Sequence, residues 1–475
     1  MGSFPQLPPD FRYGVSTASF QIEGAVTEDG RGRSIWDTFC SEPGRIRKGE
    51  NGDIACDHYH RHDEDVSLMG ELGIDVYRFS VAWPRIQPTG TGPANSAGLA
   101  FYDKLVDDLL KAGIRPAVAL YHWDLPQALQ DAGGWSNRDT ASRLADYAAV
   151  VAERLGDRVE LWMPLNEPVV ATMFGHAVGT HAPGETLGLD ALPIAHHMLL
   201  GHGMATRALR DAGMTAIGIA NNHQPVWAAG DSPDDHAAAE LYDLLTNRLF
   251  ADPILTGRYP DGFAEAMPGP VDDDLKVIST PLDWYGVNYY QPVLVGTPGS
   301  ASPDSPALED AAIPEGVPFE PRRIPNMPET DFGWAIVPEG LTEILVQTRE
   351  RYGENLPPIY ITESGWSFHD TVDGEGHVHD ERRIDYHDRH LRAVDDAIAA
   401  DVDVRGYFAW SLLDNFEWAA GYDERFGLVH VDFDTQLRTR KDSFYWFQRL
   451  LAERRAQRPE GLSAVAQSSG QSVHR

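Results

Sequence analysis

An eightfold alternation limits how this chain can fold more than any other feature. Short runs rich in β-branched and aromatic residues occupy 11–17, 76–83, 115–122, 158–165, 216–222, 284–290, 358–362 and 405–410. Helical patterns lie between them, such as FYDKLVDDLLKA at 101–112 and the stretch 141–155. Strands that are each followed by a helix pair in parallel, because the helix returns the chain to the starting edge of the sheet. Eight such units predict an α/β fold built as a single (β/α)8 TIM barrel. A typical barrel needs roughly 250 residues. The chain has 475, so the surplus is expected in long loops at the C-terminal face. The barrel is expected to span 1–455. The polar stretch from 456, AQRPEGLSAVAQSSGQSVHR, is expected to be a disordered tail.

The downstream ends of the runs are polar, where a barrel core would be apolar. Arg78 lies in the second run, His122 ends the third, and Asn166–Glu167 follows the fourth. Asn221–Asn222 ends the fifth, Asn288 and Tyr290 the sixth, and Glu363 follows the seventh. Trp410 ends the eighth, with Asp414, Glu417 and Trp418 beyond. Barrel enzymes build their sites on this face, so the pattern reads as a ring of polar groups around a pocket. The segment 297–330 carries eight prolines and many acids, and is expected to be a structured lid rather than a loose loop.

Two residues of the ring stand out. Glu167 interrupts LWMPLNEP, where Pro168 keeps it out of helical geometry and leaves the carboxyl at a strand-to-loop corner. Glu363 occupies the corresponding corner of IYITESGW, three strands on. Two carboxyls facing each other across a mouth are the apparatus of glycoside hydrolysis, one acting as acid and the other as nucleophile or base. A purely structural pair bridged by cations is the competing reading, and Arg78 serves either. Trp123, Trp334, Trp410 and Trp418 offer flat faces for sugar C–H groups. Gln21, His122, Asn166 and Glu417 offer hydrogen bonds that tell hydroxyls apart.

Other chemistries fit less well. CDHYHRHDED at 56–65 holds three histidines but lacks a clean four-ligand spacing. There is no Gly-x-Gly-x-x-Gly, phosphate loop or Gly-x-Ser-x-Gly elbow. The formal charge of −33 repels nucleic acid and anionic membranes. Only Cys40 and Cys56 are present, so no disulfide framework is implied. With no signal-peptide pattern at its start and no apolar run of membrane length, the chain is expected to be cytoplasmic.

Read together, FRYGVSTASFQIEGA, DVYRFSVAWPRIQPTG, LYHWDLPQAL, LNEP, YGVNYY, ITESG and SLLDNFEWAAGYDERFGLVHVDF resemble family 1 glycoside hydrolases, the β-glucosidase family, in order from 11 to about 447. The resemblance implies a retaining β-glucosidase with no metal or organic cofactor. Its substrates would be small β-glucosides and short β-linked oligosaccharides, with β-galactosides and β-fucosides as further candidates, and its place would be in carbohydrate metabolism, cellulose degradation included. It implies Glu167 as acid/base and Glu363 as nucleophile. Gln21, His122, Asn166, Glu417 and Trp418 match glycone-binding positions, with Trp410 as the sugar platform. Asn288 and Tyr290 match residues that orient the nucleophile, beside Arg78. One departure is Ser364, where the family has Asn. The alternatives are a 6-phospho-β-glycosidase, disfavoured by the charge of Glu417, and an inactive sugar-binding homologue, disfavoured by the presence of both glutamates.

Overall fold

The computed structural model describes residues 4–308, 313–314 and 316–457. Eight strands form one parallel sheet: β1 (Arg12–Ser16), β2 (Val76–Ser80), β3 (Arg115–Tyr121), β4 (Leu161–Leu165), β5 (Ala220–Asn222), β6 (Tyr285–Asn288), β7 (Ile359–Gly365) and β8 (Val404–Trp410). Their order is β4-β3-β2-β1-β8-β7-β6-β5. Isolated bridges, Trp162 with Ile217 and Asn166 with Ala220, join the two edge strands and close the barrel. Helices stand between the strands, as the alternation requires.

Each expected run overlaps one of these strands, and the main differences have physical causes. The fifth ladder is only Ala220–Asn222, because 216–219 meets its neighbours through single bridges and bonds such as Trp162 N to Ala216 O (2.9 Å). The seventh runs past its expected end at 362 to Gly365 and takes Glu363 into the strand. There it bulges. Ile361 pairs with Tyr407 and Ser364 with Ala409, so three steps on β7 oppose two on β8. A bulge re-aims side chains that strict alternation would send to opposite faces. Thr362 and Glu363 therefore both reach interior partners, Asn288 and Arg78, while Ser364 turns out to the Tyr386 hydroxyl at 2.9 Å.

The lower barrel is filled by apolar residues, among them pairs two apart on their strands, Ala117 with Ala119 and Leu161 with Met163. Arg78 continues the inward face that Val76 begins, one layer above this apolar plug.

The loops follow their own logic. The proline-rich segment 297–330 is anchored by strand Glu320–Arg322, which joins Val293–Gly296 and Val226–Ala228 in a small second sheet. Buried Arg322 donates to Thr297 O (2.8 Å) and Ser300 O (3.2 Å). The expected tail begins two residues too early: helix Asp442–Gln457 includes positions 456 and 457, and 458–475 lie outside the described residues.

Behind the loops that follow β7 and β8 lies a charge cluster. Lys441 Nζ, fully buried, donates to Asp370 (2.6 Å) and Asp414 (2.8 Å). Arg383, equally buried, donates to Asp370 and Asp380 (2.6 Å each), and Arg425 to Asp414 (2.9 Å). Three cations thus meet three carboxylates, the balance that buried charge requires.

One position tests the bulge. A Cβ added to Gly365 would lie 1.6 Å from the Trp410 carbonyl oxygen, which the backbone cannot yield cheaply. Gly365→Ala is expected to cost roughly 1–3 kcal/mol, at the level of other overpacked cores, and to lower activity by displacing Glu363. Denaturant melts and kcat/KM of the same preparation measure both effects.

Candidate active site

Glu363 sits at the bulge with both carboxyl oxygens engaged. Arg78 Nη1 donates to Oε1 at 2.5 Å and the Tyr290 hydroxyl to Oε2 at 2.6 Å. Arg78 is fully buried and Glu363 is 2% exposed, so the pair is desolvated. Burial, with the charges of Glu363 and Glu167, raises the Tyr290 phenol well above its ordinary range, so it stays a donor.

Glu167 lies just past the end of β4. Its φ of 44° is in the left-handed region, and Pro168 opens a short helix directly behind it. Its N–H donates to Ala220 O (2.8 Å) across the closing seam. Its Oε1 accepts from Asn222 Nδ2 (3.0 Å) and Asn288 Nδ2 (2.9 Å). Burial first, and the Glu363 charge second, push its carboxyl up to about 8, against the opposing pull of Asn288, Asn222 and Arg78. Buried carboxyls beside like charge hold their protons in this way.

Asn166 links the two halves. Its Oδ1 accepts from Arg78 Nη2 (2.5 Å) and Asn288 Nδ2 (3.0 Å), and its Nδ2 donates to His122 Nε2 (3.1 Å). That bond makes Nε2 the acceptor and leaves the proton on His122 Nδ1. Burial, reinforced by Arg78, holds His122 well below its ordinary range, so the ring is neutral. Among the described residues, His122 Nδ1 and Gln21 Oε1 are buried without a hydrogen-bond partner. A buried donor and a buried acceptor left unpaired cost free energy until a ligand meets them. A sugar hydroxyl, which both gives and accepts, suits each.

Gln21 Nε2 is spent on Asn415 Oδ1 and Phe416 O (2.9 Å each) and on Glu417 Oε2 (3.3 Å). Burial, then the charges of Glu363 and Glu424, raise Glu417 well above the carboxylate range. Trp418 packs on Trp36 (4.5 Å between centroids) and Trp123 (4.6 Å), and Trp410 stacks on His122 at 5.9 Å. Trp123 (φ 75°) and Trp418 (φ 51°) share with Glu167 a backbone region that costs a bulky residue about 1–3 kcal/mol. Such strain gathers where position matters more than stability.

These groups open into one cavity of about 740 Å³. Glu167, Glu363, His122, Tyr290, Trp334, Trp410, Glu417 and Trp418 line it, while Arg78, Asn166, Gln21 and Asn288 stand behind the wall. Ile313, Pro314, Phe319 and residues 321–324 of the proline-rich segment form part of its outer wall. Asn288 departs from expectation. It was expected to support Glu363, but its side chain donates to Glu167 and Asn166 and accepts from Thr362 (2.6 Å). The bulge sets its backbone opposite Glu363 while turning its amide toward the other carboxyl. Asn222 had been noted only as a polar strand end, and it proves to be a second donor to Glu167. Met173 and Phe174 of the π-helical segment Ala171–Val178 also line the cavity, and no motif announced them.

A parallel barrel with a proton-holding carboxyl and an arginine-paired carboxyl in an aromatic-walled mouth defines the glycoside hydrolase class. Residues 4–456 match the family described as Glycosyl hydrolase family 1. Beta-glucosidase A of Acetivibrio thermocellus is 44% identical over 94% of this chain and 98% of its own. The bifunctional beta-D-glucosidase/beta-D-fucosidase of Bifidobacterium breve is 44% identical over 95% and 99%. The crystal structure of the psychrophilic beta-glucosidase BglU from Micrococcus antarcticus superposes with a TM-score of 0.89 at 44% identity, covering 94% of this chain and 98% of that one. The chain belongs to glycosyl hydrolase family 1.

The pKa arrangement makes a prediction. An acid with its pKa near 8 is protonated below that pH and lost above it, so kcat/KM on a substrate with a basic leaving group should fall as pH rises through about 8. In Glu363→Gln the neighbouring charge is gone, and carbon NMR of the labelled Glu167 carboxyl should titrate at lower pH than in the parent.

Proposed function

We propose that the chain is a retaining β-glucosidase that removes terminal, non-reducing β-D-glucosyl residues from small glucosides and short β-linked oligosaccharides, with the barrel and its last helix, through Gln457, as its catalytic unit. The observation that carries this reading is the opposite treatment of two carboxyls at one mouth. Glu363 is paired with the Arg78 guanidinium, and Glu167 is pushed up to about 8. In the first step a Glu363 oxygen forms a bond to the anomeric carbon as the glycosidic C–O bond breaks, and the Glu167 proton goes to the departing oxygen. Esterified Glu363 no longer carries charge, so Glu167 becomes the stronger acid. Its carboxylate then takes a proton from water as the water oxygen attacks the anomeric carbon and releases Glu363.

The glycone contacts proposed are Gln21, His122, Asn166, Glu417 and Trp418, with Trp410 as platform and Tyr290 beside the nucleophile. Trp334, at 5.4 Å from the Tyr290 ring, would face the leaving group. Arg78 would hold Glu363, and Asn288 would hold Glu167. The bifunctional relative supports β-fucosides as further substrates of this chain. We further place the enzyme in the cytoplasm, in the breakdown of cellulose-derived sugars. Two free cysteines, one of them buried, suit a reducing compartment. Among the described residues no helix is long and apolar enough to cross a membrane.

A panel of nitrophenyl glycosides tests the activity directly, and the β-glucoside is expected among the best substrates by kcat/KM. Inertness toward every β-glycoside would sink the reading. A 6-phosphoglucoside should be far poorer than the plain glucoside, because Glu363 and Glu424 line the cavity and the cationic Arg425 and Lys441 are committed to Asp414.

Stereochemistry separates the two glutamates. Glu363→Gly opens space below the anomeric carbon, where azide should displace an activated aglycone once and give the α-glucosyl azide. Glu167→Gly still forms the glycosyl-enzyme, and azide should attack from above to give the β-glucosyl azide. Anomeric proton couplings in the products decide it, and exchanged outcomes would reverse the roles.

A further inference from the structure

The loop that leaves β7 carries a second cluster of chemistry that the hydrolytic site does not use. Val378 is buried and bridges Lys441 in parallel pairing, and Asp442 N donates to its carbonyl at 3.0 Å. The backbone there is extended, so His377 and His379, on either side of Val378, fall together on the opposite, outward face. A turn at 373–376 brings Asp373 back to them, closed by Gly376 N to Asp373 O (3.1 Å). One ligand atom from each of Asp373, His377 and His379 lies within 4.8 Å of the others.

Two of the three ligands have their other polar atom tied down. Asp373 Oδ1 accepts from Glu375 N (2.9 Å) and His377 N (2.8 Å), which leaves Oδ2 turned to the histidines. His379 Nδ1 meets Asp442 Oδ2 at 2.7 Å. A carboxylate on one ring nitrogen fixes the tautomer and presents the other nitrogen's lone pair, the arrangement found behind metal-ligating histidines. His379 Nε2 then stands 3.4 Å from Asp373 Oδ2. Two ligands about 2.0–2.1 Å from a tetrahedral ion are separated by close to that distance.

We propose that Asp373, His377 and His379 form a surface site for a divalent transition-metal ion of the zinc class, with Asp442 as the supporting carboxylate and solvent completing the coordination. Two imidazoles and one carboxylate favour zinc over calcium or magnesium, which prefer all-oxygen shells. The ion would clip the 373–379 loop against the segment that supplies Lys441 and Asp442. The site is separate from the hydrolytic centre, so occupancy leaves turnover intact. The cluster of His62, Asp63 and Asp108 differs, because Lys104 Nζ already fills it at 2.7, 2.5 and 2.8 Å.

Calorimetric titration of the chelator-treated, tag-free full chain with zinc chloride tests this. The parent is expected to bind one ion per chain with a rise in melting temperature. His377→Ala and Asp373→Ala should each weaken binding tenfold or more, and Asp442→Asn by a similar factor. Glu381→Ala, which alters only the alternative grouping around His379, should change affinity less than twofold. All variants should keep the parental kcat/KM, with or without EDTA. Absence of saturable binding at millimolar zinc, or undiminished affinity in His377→Ala, would overturn the assignment. Loss in Glu381→Ala with retention in His377→Ala would also overturn it.

Discussion

The guanidinium of Arg78 is the group around which the rest of the site is organised. It sits directly above the apolar plug of the barrel with no access to solvent. A buried cation is costly unless every side of it is met. Glu363, Asn166 and the Met163 sulfur, at 3.2 Å, meet it here. Through Asn166 the same charge orients His122 and Asn288, and through Asn288 it reaches Glu167. On the proposed mechanism, the network would also make the covalent intermediate transient. Esterification removes the anion that compensates Arg78 and the charge that holds the proton on Glu167, so both halves of the site then favour hydrolysis.

A second charged layer supports the first. The Lys441, Arg383 and Arg425 cluster ties the loop after β7 to the loop after β8, which carries Glu417 and Trp418. Asp414 is three residues before Glu417, and although burial opposes its charge, Lys441, Arg425 and Arg383 hold it down at about 2. The mouth is thus framed by ion pairs, while the carboxyl pushed upward, Glu167, lies inside the frame.

Much of this was legible in the sequence, for identifiable reasons. Eight strands could be read because each buried run differs in period from the helix that follows it. The polar strand ends could be read because core positions should not be polar. Glu363 was read correctly as a mouth residue but was placed past the end of its strand. A bulge breaks the period of two without changing composition, so alternation cannot reveal it. The same bulge decided the partner of Asn288, which depends on where an amide points and not on where it lies in the chain. Met173 and Phe174 escaped notice because an apolar residue facing a cavity and one facing the core look alike in a sequence.

The seam between β4 and β5 has a consequence for how this enzyme would age. Here the barrel is held by isolated bridges and a three-residue strand, whereas β7 and β8 share an extended ladder. Local opening favours such thinly paired regions, and Glu167 hangs on this seam through its own N–H. Glu363 and Arg78 belong to the sturdier side. Molecules damaged gently by heat would therefore lose the service of Glu167 before that of Glu363 and, on the proposed mechanism, would still be glycosylated by glucosides whose leaving group departs without a proton. A tired population would accumulate as a trap for reactive glucosides, occupied once and then silent, rather than as inert protein.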